Sequence, residues 1–345
     1  YPADVGSDSY GLALKHGARL IDMEFVQFEP VVTVWPEGCR GMEMPTAMLG
    51  DGAHLRNAGG ERFMFRYNPE HGEKQIEKAR MALCIQTEID EGRGLPDDTV
   101  LFDTTVLPPE RLESYKMHVR RLRNAGVDPL TTPPHVRPAS HSQMGGVLID
   151  DTGWTGVPGL YAGGESAGGV HGASRLAGNG CADTLVFGAL AGRGAAKGML
   201  PVRSRDWDAI IRNSADAIRA GDGRKGQARA SELKDDVRAI MLRSAGLWRR
   251  EEGLMRGRDQ LRELVRITAT DLATDGIEQA IEACELGHML ATSQMIVEAA
   301  LLRTESRGAH QRRDFPSQDD GHWLKHIGFR TDGAGGLQRE DIPVQ

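Results

Sequence analysis

One stretch of the sequence concentrates residue types that can bind and orient an anion. Between His171 and Gly188 the chain reads HGASRLAGNGCADTLVFG, with a single arginine, Arg175, among Gly, Ala, Ser and Asn. Residues with almost no side chain let a ligand reach the backbone, and a fixed guanidinium can grip a carboxylate with two hydrogen bonds. The pattern then turns into an apolar helix. Asn179, Gly180 and Cys181 stand at its expected start, where unpaired N–H groups and the helix dipole favour an electron-rich acceptor. The N1 and C2 carbonyl of a flavin ring are such an acceptor. Upstream, LYAGGESAGG (160–169) runs from a short apolar strand into a glycine turn at Gly164 and then a carboxylate, Glu165. An α/β sheet offers backbone to a nucleotide in this way, the acid accepting ribose hydroxyls. A plain glycine turn has the same pattern. His141 precedes the pair Gly145–Gly146 in SHSQMGGV and offers a second donor. A buried ion pair for Arg175 and a satisfied core histidine for His141 are the alternatives.

The elements that must position these residues follow from texture. The chain has 345 residues, enough for two or three domains. Its net charge of −7 argues against non-specific nucleic-acid binding. No apolar run approaches the roughly 20 residues of a membrane helix, and the opening YPADVGSDSYG carries neither a Met nor a targeting pattern and does not look like a natural start. Cys39, Cys84, Cys181 and Cys284 form no C-x-x-C, so a reduced cytoplasmic protein without a metal site is expected. A helix, SYGLALKHGARL (9–20), leads to a strand, DMEFVQF (22–28). A helix over 73–92 ends at Gly92, TVLFDTT (99–105) is a strand, and 108–126 reads as one helix with Pro at its start and Gly at its end. Residues 140–197 carry short strands with glycine turns. From 204 to 305 apolar residues recur every three or four positions, as in an antiparallel bundle. The tail from 306 is polar and reads as irregular.

Taken together, DMEFVQF, GERFM, TEIDEGRG, HSQMGGV, GLYAGGESAGGVHGASRLAGN, VFGALAG, ESRGAH and DDGHWLKH occur in order. They resemble the flavoprotein subunits of succinate dehydrogenase and fumarate reductase, with L-aspartate oxidase as a close cousin. The resemblance spans essentially the whole chain. It implies an α/β + α fold: the later part of an FAD-binding, Rossmann-like α/β domain interrupted by an α+β capping domain, then a helical bundle. Residues 1–28 would end the first FAD-domain segment, 29–139 form the capping domain, 140–203 complete the FAD domain, 204–305 form the helical domain and 306–345 the tail. The family's dinucleotide fingerprint, a strand followed by G-x-G-x-x-G, belongs N-terminal to these residues. A complementing FAD-binding segment or chain is therefore expected. FAD is the implied cofactor, and an iron–sulfur subunit is an implied partner. That partner would bring the chain to the periphery of the inner membrane without inserting it.

Carried over position by position, His141 and Arg175 resemble ligands of a substrate carboxylate and Glu165 resembles the ribose-binding acid. Gly145, Gly146, Gly164, Ser174, Asn179, Gly180 and Cys181 would line the flavin. The capping domain departs from the pattern. The family's QFHPT reads QFEPV, so Glu29 replaces a substrate-binding His. Its TEALRGEGG reads PTAMLGDGA, so Leu49 replaces an arginine that carries protons, and Asp51 keeps an acid. Loss of a general acid costs about 10²–10⁴-fold, and Glu29 would repel a second carboxylate. The expectation is hydride transfer between flavin N5 and a carboxylate-bearing substrate other than succinate or fumarate, one with a neutral or cationic far end. Glu29 or Asp51 would then take over the proton work. The alternatives are an inactive fragment and an electron-transfer module that docks an iron–sulfur subunit.

Overall fold

A computed structural model describes residues 6–176, 178–198, 207–219, 221–331 and 336–344, and the backbone alone at Ala217. The expected start at residues 1–5 and the boundary at 203/204 lie outside the described residues. The chain divides into two compact units, 27–141 and 2–26 with 142–345.

The first unit is built on a four-stranded sheet. Its order is Val26–Trp35, His135–Gln143, Val100–Asp103 and His54–Arg56. Helix Lys78–Asp90 turns Met81, Cys84 and Ile85 into a core that also holds Leu49, Phe63, Phe102 and Leu122. Gly92, at φ +74°, ends the segment as the sequence implied. The helix begins at Lys78 rather than at 73, because residues 73–77 form turns that include Gln75 at φ +51°. The expected helix 108–126 is two helices, Pro109–Glu113 and Lys116–Asn124. The break frees Tyr115 to reach the Asp51 carboxylate.

The second unit carries a five-stranded sheet ordered Leu337–Pro343, Lys325–Thr331, Leu20–Ile21, Gly146–Leu148 and Ala167–Gly168. Its last pair is parallel and the other three are antiparallel. DMEFVQF is not one strand: Asp22 adopts φ +59°, and residues 22–25 turn the chain between Leu20–Ile21 and the strand from Val26. The tail is not irregular, since Lys325–Thr331 pairs with both Leu20–Ile21 and Leu337–Pro343. Helices Trp207–Arg219, Ala230–Ser244, Glu251–Thr270 and Ile277–Leu302 follow the Asn179–Lys197 helix. Leu233, Val237, Ile240, Leu254, Leu261, Leu290 and Val297 from the last three form one core. The helical region expected over 204–305 is interrupted at Trp248–Arg249, which pairs in parallel with Gln311–Arg312.

Candidate functional site

The residues with anion-binding chemistry lie in the second unit, around the start of helix Asn179–Lys197. Gly178 enters that helix at φ +85°, a left-handed value that suits glycine. The turn Gly164–Ser166 lies against the helix: a Cβ on Gly163 would stand 2.8 Å from the Phe187 backbone. Glu165 is exposed, and its Oε1 accepts the Gln143 N–H at 3.0 Å. The backbone carbonyl of Glu165 accepts the Tyr10 hydroxyl at 2.9 Å. Burial, aided by the Glu165 charge, pushes that hydroxyl's pKa well up, so Tyr10 stays a donor.

Arg175 reaches over the first helical turn. A Cβ on Gly180 would meet Arg175 Nη1 at 3.5 Å and Arg175 Cζ at 3.8 Å. A guanidinium at the positive end of a 19-residue helix adds to the dipole's field instead of opposing it, which concentrates the attraction for an anion. Asn179 and Cys181 stand in the first turn of this helix, and Ser174 precedes Arg175 in the chain. Gly145 and Gly146 serve the sheet: Cβ atoms there would fall 2.2 Å from the Asp22 carbonyl and 2.6 Å from the Ser166 carbonyl. The space in front of both is filled by the chain's own backbone. One pair was not visible in the sequence. His171 Nε2 lies 3.2 Å from Asp183 Oδ2, Asp183 is buried, and its Oδ1 has no hydrogen-bond partner. The twelve-residue spacing between them fits no motif.

His141, Glu29 and Asp51 belong to the other unit. His141 is half-buried on the strand His135–Gln143. Glu29 is buried, with Lys78 Nζ at 2.9 and 3.0 Å from its two oxygens; the same ammonium lies 3.1 Å from Glu43. Burial raises the Glu29 pKa in spite of Lys78. For Lys78 burial works downwards, but the bonds to both carboxylates prevail and raise it. Lys78 was missed in the sequence because it sits 49 residues from Glu29. Asp51 is held by Arg111 at 2.7 Å on each oxygen and by Tyr115, and these bonds keep its pKa below the usual carboxylate range. Glu29 and Asp51 thus have separate partners. Leu49 is fully buried in the core.

Residues 2–181 match the FAD binding domain family, and residues 234–345 match the fumarate reductase flavoprotein C-terminal family. The chain belongs to the succinate dehydrogenase/fumarate reductase flavoprotein family. A CoM/CoB fumarate reductase polypeptide of Methanothermobacter marburgensis is 40% identical over 316 residues, 90% of this chain and 57% of that protein. The fumarate reductase flavoprotein subunit of Escherichia coli is 32% identical over 372 residues, 99% of this chain and 60% of that protein. Among solved structures, Mycobacterium smegmatis Sdh1 in complex with UQ1 superposes with a TM-score of 0.84 at 32% identity, covering 98% of this chain and 58% of the other. A quinol–fumarate reductase with menaquinol molecules gives 0.87 at 29%, covering 98% and 62%. The chain therefore spans about three-fifths of the length of these flavoproteins.

The family's cofactor is FAD, and the residues present fit part of it. Glu165 is exposed and has the chemistry to accept hydroxyl donors, and Gly164, at φ +69°, lets backbone come close. The helix start with Arg175 suits the polar edge of a flavin ring. The same helix exposes Leu185 at 73%, and Leu176, just before it, is 75% exposed. A cavity of about 910 Å³ lies in the same unit, lined by Asp22, Phe25, Gly168, Gly169 and His326 among others. No described helix is long and apolar enough to cross a membrane.

Proposed function

We propose that this chain is the substrate-gripping part of an FAD-dependent oxidoreductase of the fumarate reductase/succinate dehydrogenase type. When bound, FAD supplies the two-electron hydride chemistry. Arg175 binds a substrate carboxylate bidentately and holds it at the start of helix Asn179–Lys197. Glu165 holds the cofactor's ribose, and the N–H groups of Asn179, Gly180 and Cys181 stabilise negative charge on its polar edge. The carrying observation is the Arg175 guanidinium over Gly180, at the positive end of a long helix.

His141, Glu29 and Asp51 enter the proposal by their sequence positions. Lys78 removes much of the bare charge that Glu29 would otherwise present, yet Glu29, Glu43 and Lys78 together still carry a net −1. That favours a carboxylate substrate whose far end is neutral or cationic over succinate or fumarate. Lys78, an ammonium between two carboxylates, joins Glu29 and Asp51 as a candidate proton carrier. The exposed Leu176 and Leu185 and the cavity beside Gly168–Gly169 support a complementing FAD-binding segment, on the same polypeptide or a second one. The relatives are named as subunits, and an iron–sulfur subunit is the partner we propose as electron acceptor or donor.

Steady-state turnover of the complete, FAD-loaded flavoprotein tests this. Turnover with short monocarboxylates and little with succinate or fumarate is expected. Rates with succinate or fumarate like those of the dicarboxylate enzymes would remove the specificity proposal. Failure to retain FAD would remove the whole reading. Co-purification of an iron–sulfur chromophore checks the partner.

A further inference from the structure

Four of the motif segments converge on one small core in the second unit. Phe25, Met144 and Ala309 are buried together with Ala173 packed against them. They come from DMEF, HSQM, ESRGAH and HGASR, and Ala173 stands two residues before Arg175. The contact is made by backbone as well as side chains. The Ala309 N–H donates to the Ala173 carbonyl at 2.8 Å. Gly308 adopts φ +53°, and a Cβ there would fall 2.3 Å from the same carbonyl. Only glycine lets the two loops approach this closely.

Beneath this core lies an unusual foundation. Arg249, Arg303 and Arg312 are each 1% exposed or less. Arg249 Nη1 donates to the Glu24 backbone carbonyl at 2.6 Å and to His310 Nδ1 at 2.8 Å, while its Nε donates to the Gly246 carbonyl at 3.0 Å. A guanidinium can only donate. His310 Nδ1 therefore accepts, and Nε2 carries the proton and donates to the Arg303 carbonyl at 3.1 Å. His310 is thus a neutral imidazole fixed at both nitrogens between two arginines. Arg303 is matched by Glu24 at 2.5 Å and Glu305 at 2.9 Å and stacks over Phe25. Buried ions are costly to desolvate, and apolar residues of similar volume often do as well or better for stability. A fold that keeps Arg249 and Arg303 against His310 and Phe25 gains directional hold on the segments that carry them.

We propose that the Arg249–His310 pair, acting through Ala309 and Ala173, is a positioning clamp that fixes the loop carrying Arg175. His310 and Arg249 are positioning residues. They touch no reacting atom, and the clamp sets where the Arg175 guanidinium stands. This inference rests on the reading of Arg175 as a carboxylate ligand.

The test uses His310→Leu and His310→Gln in the complete flavoprotein. Leucine removes both the acceptor and the donor, whereas a glutamine amide can supply one of each. Hydrogen exchange reads the Ala309 amide and segment 171–176 directly. Propionate titrated against the flavin absorption reads carboxylate binding, and FAD content and thermal unfolding are controls. His310→Leu is expected to speed exchange at Ala309 and 171–176 and to weaken propionate binding about tenfold or more. FAD content should hold, and His310→Gln should restore most of both effects. Unchanged exchange at Ala309 and 171–176 in His310→Leu would overturn the clamp. So would a uniform fall of FAD content and melting temperature that glutamine does not restore. Arg175→Met separates the two readings: if it leaves propionate binding unchanged, the carboxylate reading has failed, and the exchange arm still decides the clamp.

Discussion

Both units bury charge, and they do it in opposite ways. In residues 27–141 an acid is the centre. Glu88 is fully buried, and its oxygens accept from Arg66, Arg93, Tyr67 and Asn57 at 2.7–3.2 Å. In the other unit arginines are the centre, and the matching is incomplete. Among the described residues, Asp22 Oδ1, Glu24 Oε2, Asp183 Oδ1 and Arg249 Nη2 are buried there without a partner, along with Thr292 Oγ1. In residues 27–141 the corresponding atom is Thr33 Oγ1. A closed network anchors a fold and asks nothing further of its surroundings. An open one leaves valences that a loop, cofactor or added segment can use, at a cost to the isolated unit. The difference leaves the second unit with buried valences that the first unit closes for itself.

That contrast can be broken by mutation. The largest effect is expected at Glu88. Glu88→Ala removes the shared acceptor of Arg66, Arg93, Tyr67 and Asn57 and should cost about 3–5 kcal/mol in urea unfolding. A loss below about 1 kcal/mol would mean the network is not the anchor of that unit. Arg249→Met should cost less, about 1–3 kcal/mol, because it removes donors from the Glu24 carbonyl and His310 Nδ1 but also an unmatched Nη2. A larger penalty than for Glu88→Ala would reverse the comparison.

A pH effect should appear in the second unit. Asp22 Oδ2 lies 2.6 Å from His326 Nδ1, and this bond raises the His326 pKa above its usual 6.5, against burial and the nearby Arg303 and with a smaller aid from Glu24. The folded state therefore holds this proton more tightly than the unfolded chain. The stabilisation is complete below the usual histidine pKa of 6.5 and fades as pH rises through the raised value. Thermal unfolding of His326→Gln should lose that slope while the parent keeps it. The smallest effect is expected at Arg111. Its pair with Asp51 is solvent-exposed on the arginine side, and Arg111→Ala should leave the melting temperature within scatter.

Much of this was legible in the sequence, and the exceptions have causes. Gly92, the glycine turn at 163–164 and the helix from Asn179 were readable because local chemistry decides them. The helical region was readable from its period. The tail was not, because strand Lys325–Thr331 is mixed in polarity and one of its two partners, Leu20–Ile21, stands some three hundred residues away. The break at Tyr115 was hidden for a similar reason, since its hydroxyl answers to Asp51. At the site, Arg175 stood out through its glycine-rich setting. Glu29 was read as a bare charge because nothing near it in sequence announces Lys78. His171 and Asp183 meet only once the loop has folded onto the helix.

The most direct measurement of the central claim is a carboxylate titration of the FAD-loaded complete flavoprotein, wild type against Arg175→Met, followed by flavin absorption. A saturable perturbation in the wild type, weakened at least about tenfold in the variant as expected for loss of a bidentate charged contact, is the predicted result. Equal binding by both proteins would contradict it.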